Sequence, residues 1–105
     1  MPEYIVDQKD GQGLVKFEGN LTAALVPGLQ ADLKSALDQG VNELVFDLAN
    51  TGMLDSSGMG LLIAAANSLA RRSGRIRVIN ASPDILQLLQ SMRLAARLNV
   101  SGRTA

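Results

Sequence analysis

Apolar and polar residues alternate from Tyr4 to Asp7 and again from Leu14 to Glu18, with Asp10-Gly11-Gln12-Gly13 between the two runs. A period of two on either side of Asp-Gly turn chemistry predicts a hairpin of two strands. The period then lengthens. Leu25, Leu29, Leu33, Ala36 and Leu37 recur at helical spacing, which predicts a helix from about Val26 to Gln39. Pro27 falls in its first turn and Gly40 at its C-terminal stop. Glu43 to Leu48 is short, apolar and rich in strand formers, and reads as a central strand covered on both faces. A loop from Ala49 to Asp55 follows. Met59, Leu62, Ile63, Ala66, Leu69 and Ala70 then form a second helical stripe that ends near Ser73-Gly74.

Arg75 to Ile79 alternates Ile76 and Val78 against arginines and predicts another strand. Ser82 and Pro83 are a cap and first-turn pair for a third helix, whose core face is Ile85, Leu88, Leu89 and Met92. Leu94, Leu98 and Val100 predict a further turn or short helix and a terminal strand, with residues Ser101 to Ala105 as a frayed tail. The order β-β-α-β-α-β-α implies a single α/β domain over residues 1–105, with helices packed on a mixed sheet.

Composition narrows the chemistry. The chain has 105 residues, 47% hydrophobic and 19% charged, so it is one globular domain and not a disordered one. It holds no cysteine and no histidine, which leaves out disulfides, thiolate or imidazole metal sites and any Ser-His-Asp triad. The start, Met1-Pro2, carries no basic leader, and the apolar run Met59 to Ala66 is shorter than the ~18 residues of a membrane span. A cytoplasmic location away from the membrane is the expectation. Residues 1–70 hold three lysines against nine acids, whereas residues 71–105 hold seven arginines against Asp84 alone. The arginines are scattered and have no aromatic residues among them on which bases could stack. They read as a solvated face or as partners for the acidic half, not as a nucleic-acid surface.

One segment carries a signal. Asn50-Thr51-Gly52-Met53-Leu54-Asp55-Ser56-Ser57-Gly58-Met59-Gly60 joins a strand to a helix, at the carboxyl end of a strand where ligands and chemistry gather in α/β sheets. Asp55 or Ser56 can cap the helix. Gly58 and Gly60 permit another backbone to approach, at a cost of up to ~1 kcal/mol each relative to Ala. Plain capping is one account. A nucleophilic serine is not supported, since no glycine stands two residues before Ser56 and no histidine base exists. A phosphate loop lacks its Lys. A phosphorylatable serine at a helix start is the other account. Its phosphate would carry about −1.5 to −2 charges. The helix N-terminus would accept it, while a docked partner would not.

Asp55-Ser56-Ser57-Gly58-Met59-Gly60 resembles the Asp-Ser-(Ser/Thr)-Gly-Leu-Gly motif of bacterial anti-sigma factor antagonists, which are single STAS domains. The likeness runs along nearly the whole chain. Gly19-Asn20-Leu21 matches the family's segment after the second strand, and Leu44 to Leu48 matches its central strand. Ser82-Pro83-Asp84-Ile85-Leu86-Gln87-Leu88-Leu89 is similar to its third helix. Two positions depart: Thr22 stands where the family usually has an acid, and Arg93 where it commonly has a glycine before Leu94.

The resemblance implies a four- to five-stranded mixed sheet with helices mainly on one face. It implies a binding module with no catalysis and no cofactor of its own. The unphosphorylated form would bind an anti-sigma factor that is also a serine kinase of the GHKL type. Phosphorylation of Ser56 would end that binding, and a metal-dependent PP2C-type serine phosphatase would reset it. Asp55, Ser57, Gly58 and Gly60 would form the switch loop with it, and Asn20 and Thr22 would lie beside it. Met53, Met59 and Leu61 either border the partner footprint or complete the core and shield the helix flanks. Related STAS proteins act in secretion or motility through switch kinases, or as small subunits of lipid transporters. The transporter-subunit role is the alternative function, and nucleotide binding at the Gly58–Gly60 turn is a weaker one.

Overall fold

A computed structural model describes residues 3–103. Strands β1 (Tyr4–Lys9) and β2 (Gln12–Phe17) form the antiparallel hairpin, paired from Tyr4↔Phe17 to Lys9↔Gln12. At its turn, Asp10 and Gly11 both take positive φ, 52° and 80°. That is the geometry that matches a tight hairpin to the right-handed twist of its strands, and Asp-Gly adopts it at low cost.

Helix α1 (Val26–Asp38) leads to β3 (Glu43–Asp47), α2 (Ser56–Ala70) to β4 (Arg75–Ala81), and α3 (Pro83–Ser91) to β5 (Val100–Gly102). The five strands lie in the order β1-β2-β3-β4-β5, and every pairing after the hairpin is parallel. Each β-α-β step therefore moves one strand onward in the same direction. With right-handed crossovers, this places all three helices on one face of the sheet.

Val15, Phe17, Leu44, Phe46, Ile76 and Val78 supply the sheet side of the core, in register across β2, β3 and β4. Phe17 and Phe46 stack with ring centroids 6.4 Å apart. The helices contribute Leu29, Leu33 and Ala36 from α1, Leu61, Leu62, Ala65, Ala66 and Leu69 from α2, and Ile85 and Leu89 from α3. Tyr4 Oη donates to Asp32 Oδ2 at 2.6 Å and ties β1 to α1; this bond raises the Tyr4 hydroxyl pKa to about 12.

The middle of β3 is buried on both faces, as expected of a central strand, although helices cover only one: Val45, 3% exposed, lies on the other face outside the main core, with Leu14 and Arg77 beside it in its row. Three expectations are corrected. Met92 is 53% exposed, because α3 ends at Ser91, before the core stripe reaches it. In α2 the buried stripe runs through Leu61 and Ala65, whereas Ala70 is exposed and Met59 and Ile63 are half-buried. The stripe is rotated because Gly58, with no side chain, is the residue that lies against the neighbouring loop. Ser101 and Gly102 are strand residues of β5, and Arg103 donates to the carbonyls of the strand-to-helix loop. The rest of the expected tail, 104–105, lies outside the described residues.

Arg93 keeps the backbone of the glycine it replaces. Its φ is 60°, its N–H donates to Gln90 O, and the N–H of Leu94 donates to Leu89 O at 2.8 Å. This pair of bonds is a Schellman stop, so α3 ends with its last carbonyls satisfied despite the side chain. Most of the scattered arginines bond within the chain, through Arg72, Arg75, Arg77, Arg97 and Arg103. Arg75 and Arg77 pair with Glu43 at 3.5 and 3.7 Å, and Arg72 donates to Leu37 O at the end of α1. These exposed pairs contribute little individually.

Candidate functional site

Helix α2 starts where β3 has left the sheet through the loop 48–55. Asp55 has an extended backbone and is the N-cap, its Oδ1 accepting from Gly58 N–H at 2.8 Å. Its second oxygen, Oδ2, accepts from Ala23 N–H at 3.0 Å, in the segment that follows β2. One carboxylate thus serves two segments. The bonds from Gly58, then Ala23, hold its pKa below the ordinary carboxylate value, and a weaker contribution comes from Ser57 N–H.

Backbone bonds complete the clasp. Leu21 N–H donates to Met53 O at 3.1 Å and Asp55 N–H donates to Leu21 O at 3.2 Å, so Leu21 and Leu54 form an isolated parallel bridge. Both leucines are buried. The side chains of Asn20 and Glu18 extend the contact: Asn20 Oδ1 accepts from Gly52 N–H at 3.2 Å, and Glu18 Oε2 from Asn50 Nδ2 at 3.1 Å. From the far end of the chain, Arg103 donates to Ala49 O at 2.8 Å.

Gly58 has a steric reason to be glycine. A Cβ there would lie 2.6 Å from Leu21 O and 2.8 Å from Leu54 Cδ1, so the approach of the 18–23 segment requires its absence. Gly60 has none of these neighbours; nothing lies within 4 Å of where its Cβ would be. Of the two glycines, only Gly58 serves a close approach.

The clasp leaves Ser56 and Ser57 exposed in the first turn of α2, with their hydroxyls free of hydrogen-bond partners among the described residues. Around them lie Met53, 50% exposed, half-buried Met59 and Thr22, and exposed Gly60, Asn20 and Ala23. Leu61 does not join this surface. It is 4% exposed and belongs to the core, so of the two accounts given for it the core one holds and a place in the partner footprint does not. Thr51 was not singled out by the sequence, yet it is fully buried in the loop and its Oγ1 has no partner among the described residues. Nor did any local pattern point to Ala23, Glu18 or Arg103. Their bonds to the loop cross 32 or more positions of sequence.

The arrangement can present a hydroxyl and accept a modified one. Free N–H groups at the start of α2 and its positive dipole end favour a negative group there, by ~0.3–1 kcal/mol. Asp55 beside Ser56 is committed as a cap: its oxygens accept backbone bonds and its pKa is held down, which makes it a weak base.

Comparison with known proteins agrees with this fold. The anti-sigma F factor antagonist of Lysinibacillus sphaericus is 28% identical over 78 residues, 73% of this chain and 67% of the relative. The anti-sigma-B factor antagonist of Staphylococcus epidermidis is 27% identical over 90 residues, 86% and 83% of the two chains. Among solved structures, the Bacillus antagonist SpoIIAA matches in its unphosphorylated form with TM-score 0.74 and 24% identity, covering 83% of this chain and 81% of that one. Its phosphorylated form matches with TM-score 0.79 and 21% identity, covering 96% and 91%. The STAS domain family matches residues 3–104, essentially end to end. With a five-stranded mixed sheet, helices on one face and the Asp-Ser-Ser-Gly turn at the start of α2, this chain belongs to the STAS domain family.

Proposed function

We propose that this protein is an anti-sigma factor antagonist of a partner-switching pathway, with Ser56 as its switch. The reading rests on one observation above all: Ser56 is exposed at the first position of α2, directly after a cap residue immobilised by bonds to two segments. A kinase can reach the hydroxyl, and the framework beneath it is too well bonded to need the hydroxyl for folding. The names of the relatives support the class of partner, an anti-sigma factor.

Bare Ser56, with Met53, Met59, Gly60, Ser57, Asn20 and Thr22 around it, forms the docking surface for that partner, a serine kinase of the GHKL type. Phosphorylation places a dianion in the contact, next to the charge of Asp55. Burying it unpaired would cost several kcal/mol, so the complex separates. The helix start tolerates the same group in solution, so the antagonist stays folded and a PP2C-type phosphatase can restore it. The chain is substrate and ligand in this cycle and makes no bond itself. Thr22 removes a charge from the family's usual acidic position, which weakens like-charge repulsion near the modified serine.

The test is incubation with the cognate kinase and ATP, followed by phosphosite mapping and pull-down from the native cell. Ser56→Ala should retain the kinase and take up no phosphate. Ser56→Asp should lose most of the binding while its thermal midpoint stays within a few degrees of wild type. Label on Ser57 alone would overturn the assignment. Stable recovery of a transporter ATPase, indifferent to the state of Ser56, would overturn the class.

A further inference from the structure

Between α1 and α2 a cleft of about 380 Å³ opens toward the sheet. Its walls are Leu33 and Leu37 of α1 and Leu61 of α2, and its floor is Leu44 of β3. The cause lies in α2. The residues facing α1 beyond Leu61 are Ala64, Ala65 and Ser68, whose short side chains do not span the gap between the helices. The cleft runs on, through Lys34, Leu37 and Ser68, into a second hollow of about 400 Å³ that is lined by Asp38, Arg71 and Arg72 as well. Apolar walls thus lead to a mouth with three cations and one acid.

The cations are not all engaged. Arg72 donates to Leu37 O and Val41 O, which accounts for it as a cap on the end of α1. Lys34 and Arg71 form no hydrogen bond or ion pair among the described residues, and Asp38 pairs with neither. With Asp38 counted against Lys34, Arg71 and Arg72, the open end of the apolar cleft is net positive and matches an anionic head on an apolar tail.

We propose that this cleft binds a free fatty acid, its acyl chain between α1 and α2 and its carboxylate at Lys34 and Arg71. The size selects the ligand class. At about 380 Å³ the inner cleft is of a size for a single saturated chain. A neutral chain would gain the same apolar contact and leave Lys34 and Arg71 unused. The carboxylate adds charge-assisted hydrogen bonds, the stronger kind.

The experiment is a titration of the full-length protein with laurate, dodecanol and dodecyl phosphate below their aggregation limits, followed by amide NMR and calorimetry. Laurate should bind saturably at one site and shift the amides of Leu33, Leu37, Leu61 and Ala65. Dodecanol should bind about tenfold more weakly, as should laurate to the double variant Lys34→Glu, Arg71→Glu, whose exposed positions leave the thermal midpoint unchanged. Ala64→Trp, on the exposed lip of the cleft, should block laurate while preserving the fold. Equal affinity for dodecanol, or no saturable binding of laurate by wild type, would overturn the proposal. Much tighter binding of dodecyl phosphate would replace the carboxylate with a phosphorylated single-chain lipid and overturn it too. Cleft amides that shift with protein concentration alone would give the cleft to a second copy of the chain.

Discussion

Gly58 and Gly60 are two residues apart in one helical turn and face opposite demands. At Gly58 a methyl group would press on a backbone carbonyl, Leu21 O, which cannot swing aside without breaking its bond from Asp55 N–H. Gly58→Ala should therefore destabilise the protein by about 1–3 kcal/mol, the usual cost of overpacking. Gly60→Ala meets open space and gains helix propensity, so it should stabilise by about 0.5–1 kcal/mol. Urea unfolding of both variants checks the pair, and the same sign for the two would contradict the clasp geometry. The sequence alone showed that two glycines at a helix start need a reason. It could not divide that reason between them, because the obstructing carbonyl comes from a residue 37 positions earlier.

At the scale of elements, α2 carries the switch turn and packs against both β4 and α1. Its N-cap Asp55 holds it to the segment after β2, and that bond depends on the carboxylate charge. The folded pKa is lowered, so the stabilisation is present above the unfolded value of about 4 and is lost as pH falls through the folded value. Wild type should lose stability more steeply than Asp55→Asn between pH 5 and the acid limit, measured by chemical unfolding at stepped pH. Equal slopes would mean the carboxylate charge does not hold the clasp. Most element boundaries were legible. The Asp-Gly turn, the Ser82-Pro83 helix start and the period change after residue 25 are local signals with local causes. Less legible was the rotation of α2. A helix so rich in Leu and Ala has a weak apolar face, and its orientation is set by what it packs against, here the loop over Gly58.

For the whole molecule, the core is continuous from the hairpin to β5, and Leu61 is part of it. Leu61→Glu should cost at least ~3 kcal/mol, as lost packing adds to a buried unpaired carboxyl. Against a total of ~5–15 kcal/mol, that lowers the melting temperature by more than ~10 °C. A calorimetric scan beside the conservative Leu61→Met checks this, and an unchanged midpoint would return Leu61 to the surface. The chain's own pattern determined the strand and helix order, the single domain, the α/β class with a mixed sheet and the serine at the head of α2. Each of these follows from periodicity, turn chemistry or crossover rules that act over a few residues or one connection. Only the folded molecule decided which hydrophobic residues near the switch stay outside, why Gly58 must be glycine, and that small residues on α2 leave a cleft with a cationic mouth. Those properties depend on segments 30 or more positions apart meeting at atomic distance, and no local pattern along a chain encodes that meeting.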